Sequence, residues 1–145
     1  MTAETIKGLF VEFVREMDMS ASYKPVMLLA ILQVLDADGR AEMAAVIRGF
    51  RQFYQQRKEQ GLPVEKPNMR MNRVDELSDA DIGRVIVEMP FEKFERRRYL
   101  KYDHDLAFIR FEPRLWRQLT ATDLEELKAI CRREIEQYYE RLGPT

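Results

Sequence analysis

The chain has 145 residues, the length of one ordinary domain and enough to bury one hydrophobic core. With 46% hydrophobic and 34% charged residues, and with Leu, Ile, Phe and Tyr recurring in every segment, the composition is that of a folded globule and excludes a disordered one. A net charge of -1 excludes a uniformly basic or acidic chain.

The first predicted helix covers residues 2–17. Ile6, Leu9, Phe10, Phe13, Val14 and Met17 recur at three- and four-residue spacing and paint one apolar stripe. Asp18 and Ser20 break it. The second helix is capped by Ser22 and carries Pro25 in its first turn, where no helical N–H bond is lost. Val26 to Leu32 are apolar all round, which marks a helix buried on most sides, and Asp36-Ala37-Asp38-Gly39 ends the segment. Arg40 to Glu42 reads as a connector or minimal strand. The third helix runs from Glu42 to about Gln60, with Met43, Val46, Ile47, Phe50, Phe53 and Tyr54 inward, and Gly61 and Pro63 stop it.

Residues 62–77 read as a long irregular arm, a feature uncommon in compact domains and often functional. Ser78 caps a fourth helix, and Pro90 turns the chain into a further helical piece ending at Arg97. The period then falls to two. Residues 99–102 and 106–111 read as the strands of a hairpin around Asp103-His104-Asp105. Pro113 starts a short helical turn, and Thr122 to Glu125 reads as the capping box of a last helix through Leu142. The fold class expected is mostly α with a small β-hairpin, as a single domain over 1–145. Its expected core residues are Leu28, Ile31, Leu32, Ile47, Phe50, Ile86, Phe108, Trp116, Leu127 and Ile130.

Taken in order, residues 22–111 resemble a winged helix, with flanking helices over 2–17 and 122–142. In that architecture helices pack in a helix-turn-helix manner, one enters the major groove, and a β-hairpin wing touches the backbone or minor groove. The arm at 62–77 departs from the compact pattern. A second resemblance rests on Ser22-Tyr23-Lys24-Pro25, Phe50-Arg51-Gln52-Phe53-Tyr54, Gly61-Leu62-Pro63-Val64-Glu65 and Phe111-Glu112-Pro113-Arg114-Leu115-Trp116. These strings are similar to the accessory C-terminal region of bacterial superfamily-2 (DEAD/DEAH-type) helicases of restriction and defence systems. The resemblance implies a helper domain with a helicase or nuclease subunit as partner, and the sequence contains no Gly-x-x-x-x-Gly-Lys-Ser/Thr loop of its own.

Charge is arranged in blocks. Residues 40–73 and 91–101 are basic and 74–89 are acidic. Arg48, Arg51, Gln55 and Lys58 recur on one face of the third helix with Arg57 beside it. Lys66, Arg70 and Arg73 lie on the arm, and Arg96, Arg97, Arg98 and Lys101 lie where helix gives way to hairpin. Arg and Lys neutralise phosphates, and Arg and Gln also read base edges, so these twelve residues are the expected contacts to DNA or another nucleic acid. A protein-interaction module is the alternative, with Tyr138, Tyr139 and Leu142 as its exposed apolar patch.

Catalytic signals are thin. Arg98 and His104 are separated by five residues and faintly resemble the Arg-x(4–6)-His pattern of HEPN-type ribonucleases, but the residues between them alternate as a strand. His104 is the only histidine and Cys131 the only thiol, so neither zinc-ligand spacing nor an internal disulfide is available. No catalytic residue, metal or cofactor is expected. Glu4 and Lys7 stand ahead of a helical pattern rather than a leader, and the apolar run from Val26 to Leu35 is about half a bilayer's need. A cytoplasmic location without a membrane partner is the expectation.

Overall fold

A computed structural model describes residues 5–17 and 20–143. Among the described residues seven α-helices and a small antiparallel sheet follow one another as α1 (Ile6–Arg15), α2 (Tyr23–Gln33), β1 (Arg40–Glu42), α3 (Met43–Glu59), α4 (Asp79–Glu88), α5 (Pro90–Arg96), β2 (Leu100–Asp103), β3 (Phe108–Phe111), α6 (Pro113–Gln118) and α7 (Ala121–Leu142). A 3-10 helix, Arg70–Glu76, bridges α3 and α4. The fold is mostly α with a small sheet, as composition and periodicity imply. Thr2 and Asp18, placed by the sequence at the start and break of the first helix, lie outside the described residues.

Helix α2 is the centre. Its apolar residues surround the axis, and Val26, Met27, Leu28, Ala30, Ile31 and Leu32 are all buried. It packs against α3 on one side and α7 on the other. Around it an aromatic cluster ties α1 to the hairpin: Phe10 meets Phe94, Tyr99 and Phe111 edge-on, with ring centroids 5.0 to 6.4 Å apart. Such pairs add to stability beyond the area that they bury.

The expected hairpin is a three-stranded sheet ordered β1-β3-β2, because the minimal strand at Arg40–Glu42 pairs with β3. Register places Ala41 opposite Ile109 and Tyr102 opposite Ile109, a row that faces the core. Phe108, expected in the core, points the other way. It is half-buried on the outer face, where the Arg40 guanidinium lies 5.2 Å from its ring. Ile109 takes the interior position, since side chains alternate faces along a strand. The turn is also longer than expected: β3 begins at Phe108, and Asp103 closes the turn by accepting from the N–H groups of Asp105 and Leu106.

Trp116 is half-buried rather than fully interior. Its indole stacks on Phe111 at 5.8 Å and covers Gly39, whose φ of +76° fits the residue type. The capping box of α7 starts two residues earlier than the sequence suggests. Thr120 Oγ1 accepts from Asp123 N at 3.1 Å, and Asp123 returns the bond to Thr120 N at 2.8 Å. A box needs a hydroxyl and a carboxylate three residues apart; Thr120 with Asp123 and Thr122 with Glu125 both meet that spacing, and the helix starts at the first pair.

Candidate nucleic-acid interface

Helix α3 carries the expected basic face, but the fold uses much of that face internally. Arg51 donates to the carbonyl oxygens of Val74 (3.4 Å) and Leu77 (3.0 Å) and to Asp79 (2.6 Å). Lys58 bonds the carbonyl of Asn72 (3.3 Å) and Asp75 (2.8 Å). Arg57 donates to the Pro63 carbonyl at 2.6 Å, and its guanidinium sits 3.5 Å above the Tyr139 ring. These three side chains clamp the arm and the start of α4 to α3. Gln55 is half-buried, and Arg48 is exposed.

The arm is not loose. It is fastened by Glu65, which with Ser22 is buried among the described residues and is only 5% exposed. Glu65 Oε2 accepts from the backbone N–H of Ser22 (2.9 Å) and from its hydroxyl (2.7 Å). Oε1 accepts from Lys66 N (2.9 Å) and from the Tyr138 hydroxyl. A carboxylate only accepts, so the Ser22 proton points at Glu65, and Tyr54, whose oxygen is 2.7 Å from Ser22 Oγ, is the donor of that second bond. Tyr139 donates to the Val64 carbonyl at 2.7 Å, and Tyr23 accepts from Met71 N at 3.2 Å. Burial raises all four phenols. Tyr23 and Tyr139 are pushed to about 12, and Tyr54 and Tyr138 are also raised well above the ordinary phenol value, Tyr138 in addition through its bond to Glu65. Among the described residues no buried side-chain nitrogen or oxygen lacks a partner, so the cluster is a complete fastening. It also removes the expected exposed patch: Tyr138 is buried, and Tyr139 and Leu142 are half-buried. Lys66, Arg70 and Arg73 remain on the arm's exposed side.

The second basic block divides. Arg96 is bound by Glu92 through two nitrogens, and the Arg97 guanidinium lies 5.3 Å from the Phe13 ring. Both line a groove of about 440 Å³ between α1 and α5. Arg98 and Lys101 line a different groove at the base of the hairpin, together with Arg110. Register sets Lys101 directly opposite Arg110, and Arg110 opposite Arg40, so one row of three cations crosses the outer face of the sheet. Arg40 is bound to Asp36 and Asp38. Among the described residues Arg98, Lys101 and Arg110 have no ion-pair partner. Arg110 was not among the twelve residues that the sequence singles out. Strand parity carries the missing signal, because the position two residues from an outward Phe108 also faces outward.

No protein-family model matches the chain, and neither do any curated proteins or solved structures. Function therefore rests on the site alone.

The remaining candidates are separated by the same geometry. Arg98 precedes β2 and His104 follows it, so about 13 Å of extended strand stands between them, too far for one phosphate. The His104 ring lies against Tyr102 with centroids 4.1 Å apart and the two planes tilted by 46°. Among the described residues no three His, Cys, Asp or Glu side chains come together as a metal site would require, and no helix is long and apolar enough to cross a membrane. Cys131 is fully buried, and burial pushes its thiol to about 12.

Proposed function

We propose that this chain is a non-catalytic binding module for nucleic-acid backbone, an accessory domain serving a helicase or nuclease subunit of a DNA-processing or defence machine. The observation that carries the reading is the group Arg98, Lys101 and Arg110, three cations that line one groove and have no ion-pair partner among the described residues. Each is available to displace a condensed counterion from a phosphate. The winged-helix comparison is supported by the opening helix, strand and helix and by the closing hairpin, with the first strand paired to the last; the 3-10 helix Arg70–Glu76 and one of α4 and α5 are extra to the compact pattern. Helix α4, which α5 separates from the hairpin, has Asp79, Asp81 and Glu88 as its outward charges, with Arg84 held by Asp81. Acidic side chains repel a phosphate duplex, so contact is led by the hairpin rather than by α4.

A protein-adaptor reading has one observation in its favour. Between α3, α4 and the hairpin tip lies a groove of about 420 Å³ with Met43, Ile47, Val87 and Tyr102 in its lining. Fluorescence anisotropy with labelled single- and double-stranded DNA and RNA at two salt concentrations separates the readings. Backbone binding gives a steep log–log salt slope that flattens by about one unit for each phosphate contact removed. Lys101→Glu and Arg110→Glu should flatten it, whereas the charge-matched control Arg141→Glu should not. Absence of any binding at low salt refutes the reading and leaves the adaptor.

A further inference from the structure

Helices commonly end with one residue in the left-handed conformation, where glycine is usual because a Cβ is disfavoured there. Helix α3 follows this rule. Gly61 has φ +71°, Gly61 N donates to the Lys58 carbonyl at 3.1 Å, and Leu62 N donates to the Arg57 carbonyl at 2.9 Å. Helix α5 ends in the same pair of bonds, from Arg98 N to Glu95 O (2.9 Å) and from Tyr99 N to Phe94 O (3.0 Å). There the left-handed position, φ +63°, is held by Arg98. Folding alone favours glycine at residue 98.

Folding alone also disfavours a cation at 101 or at 110. Like charges directly opposite on neighbouring strands are destabilising, and Lys101 faces Arg110 in register. Two positions at which the fold would choose another residue thus converge, with Arg110, on one groove. The groove's two carboxylates leave its three cations in excess and pair with none of them. Glu112 is occupied by the Leu115 N–H (3.0 Å) and by Arg114 (3.3 Å), and Glu95 is exposed and forms no ion pair among the described residues.

The groove holds about 410 Å³, and Leu100, Phe111 and Pro113 supply its apolar lining, Pro113 being the exposed member. That volume lies in the range of small-ligand pockets and suits one nucleotide rather than a duplex. We infer that the base of the hairpin is a site for one splayed nucleotide of a single strand, with its phosphate on Arg98, Lys101 and Arg110 and its base against the exposed ring of Pro113. The inference rests on the backbone-binding reading and narrows it to single strands. Nothing in the groove tells deoxyribose from ribose, so DNA and RNA strands are separate arms of the test.

The test uses the full chain at low salt with four labelled probes: a short single-stranded DNA, the RNA of the same sequence, the matching DNA duplex, and an abasic DNA strand of equal phosphate number. Thermal unfolding is recorded for every variant. The wild type should favour at least one of the two base-bearing strands over the duplex, and should bind the abasic strand at least about fivefold more weakly than the DNA strand, the loss expected when a base contact is removed. Arg98→Gly should unfold at or above the wild-type temperature and still bind the preferred strand several-fold more weakly. Lys101→Thr should behave in the same way. Equal wild-type affinity for strand and duplex overturns the inference, as does equal affinity for abasic and ordinary DNA, or undiminished strand binding by Arg98→Gly. Duplex binding that survives these substitutions sinks this site alone. Absence of binding to all four probes sinks both the site and the proposed function.

Discussion

Glu65→Gln is the most informative single change to the fold, because it preserves shape and alters only what each oxygen can accept. The native carboxylate takes four donors, two on each oxygen. The amide keeps one acceptor oxygen and puts two N–H donors where the other stood. Facing Ser22, the amide nitrogen meets a buried backbone N–H that cannot rotate away. Facing Lys66 and Tyr138, it meets a part-buried backbone N–H and a hydroxyl that must turn round. The second orientation is the cheaper, and it still leaves one donor without an acceptor. An unsatisfied buried donor costs about 1–3 kcal/mol, so the change should cost about 2 kcal/mol. With a denaturant slope near 2 kcal/mol/M, the urea midpoint should fall by roughly 1 M at unchanged slope. Trypsin should then cut after Arg70 or Arg73 sooner than in the wild type, the Lys66–Pro67 bond being resistant to it. An unchanged midpoint together with unchanged trypsin resistance would refute the view that Glu65 holds the arm.

Three further outcomes follow from other parts of the structure. Gly39→Ala places a methyl 2.5 Å from the Trp116 ring on a backbone at φ +76°; strain and overpacking together should cost about 2–4 kcal/mol in chemical unfolding, and adding Trp116→Ala should recover the steric part, whereas full additivity of the two would contradict the contact. Lys101→Glu should raise stability by about 0.2–1 kcal/mol by replacing a like-charge pair with an opposite one, and a lowered unfolding midpoint would argue against the register. The raised phenols of Tyr23 and Tyr139 predict alkaline instability. Their protonated forms are favoured by the folded state, so this stability is complete below pH 10 and is lost between pH 10 and about 12, at about 1.4 kcal/mol per pH unit for each phenol; a flat stability curve to pH 12, measured alongside tyrosinate absorbance, would contradict the buried cluster.

Helices were legible in the sequence wherever an apolar period of 3.6 met a capping residue. Ser78 with Asp81 opens α4 as its spacing suggests, and Pro90 starts α5 by occupying a position that needs no N–H. The sheet was half legible. Alternation marked the hairpin, but pairing between β1 and β3 joins residues about seventy positions apart, and no local pattern carries that. The Phe108 error was avoidable in principle: Phe108 and Arg110 share a face, so an interior Phe108 would bury an arginine as well. The internal partners of the basic face of α3 were illegible for a different reason. Spacing shows which side of a helix a cation occupies, but not which carbonyl or carboxylate will be waiting there. For Arg51, Arg57 and Lys58 those partners come from the arm, and its path depends on a tertiary contact between Ser22 and Glu65.

The way α2 is covered has a consequence for the order of events at the ribosome. One flank of α2 is closed by α7, and the carboxylate at residue 65 finds its phenol only at Tyr138. A chain that has emerged as far as the hairpin has α3 and the sheet in place, but the central helix still shows its α7-facing side to water and Glu65 lacks one donor. Synthesis adds about 5–20 residues per second, so this exposed interval lasts seconds while α7 is made. A fragment ending near residue 111 would be held in that state permanently. The segment 22–111 is therefore a unit of topology without being a unit of folding, and expression trials of it should yield aggregate where the full chain yields a monodisperse protein.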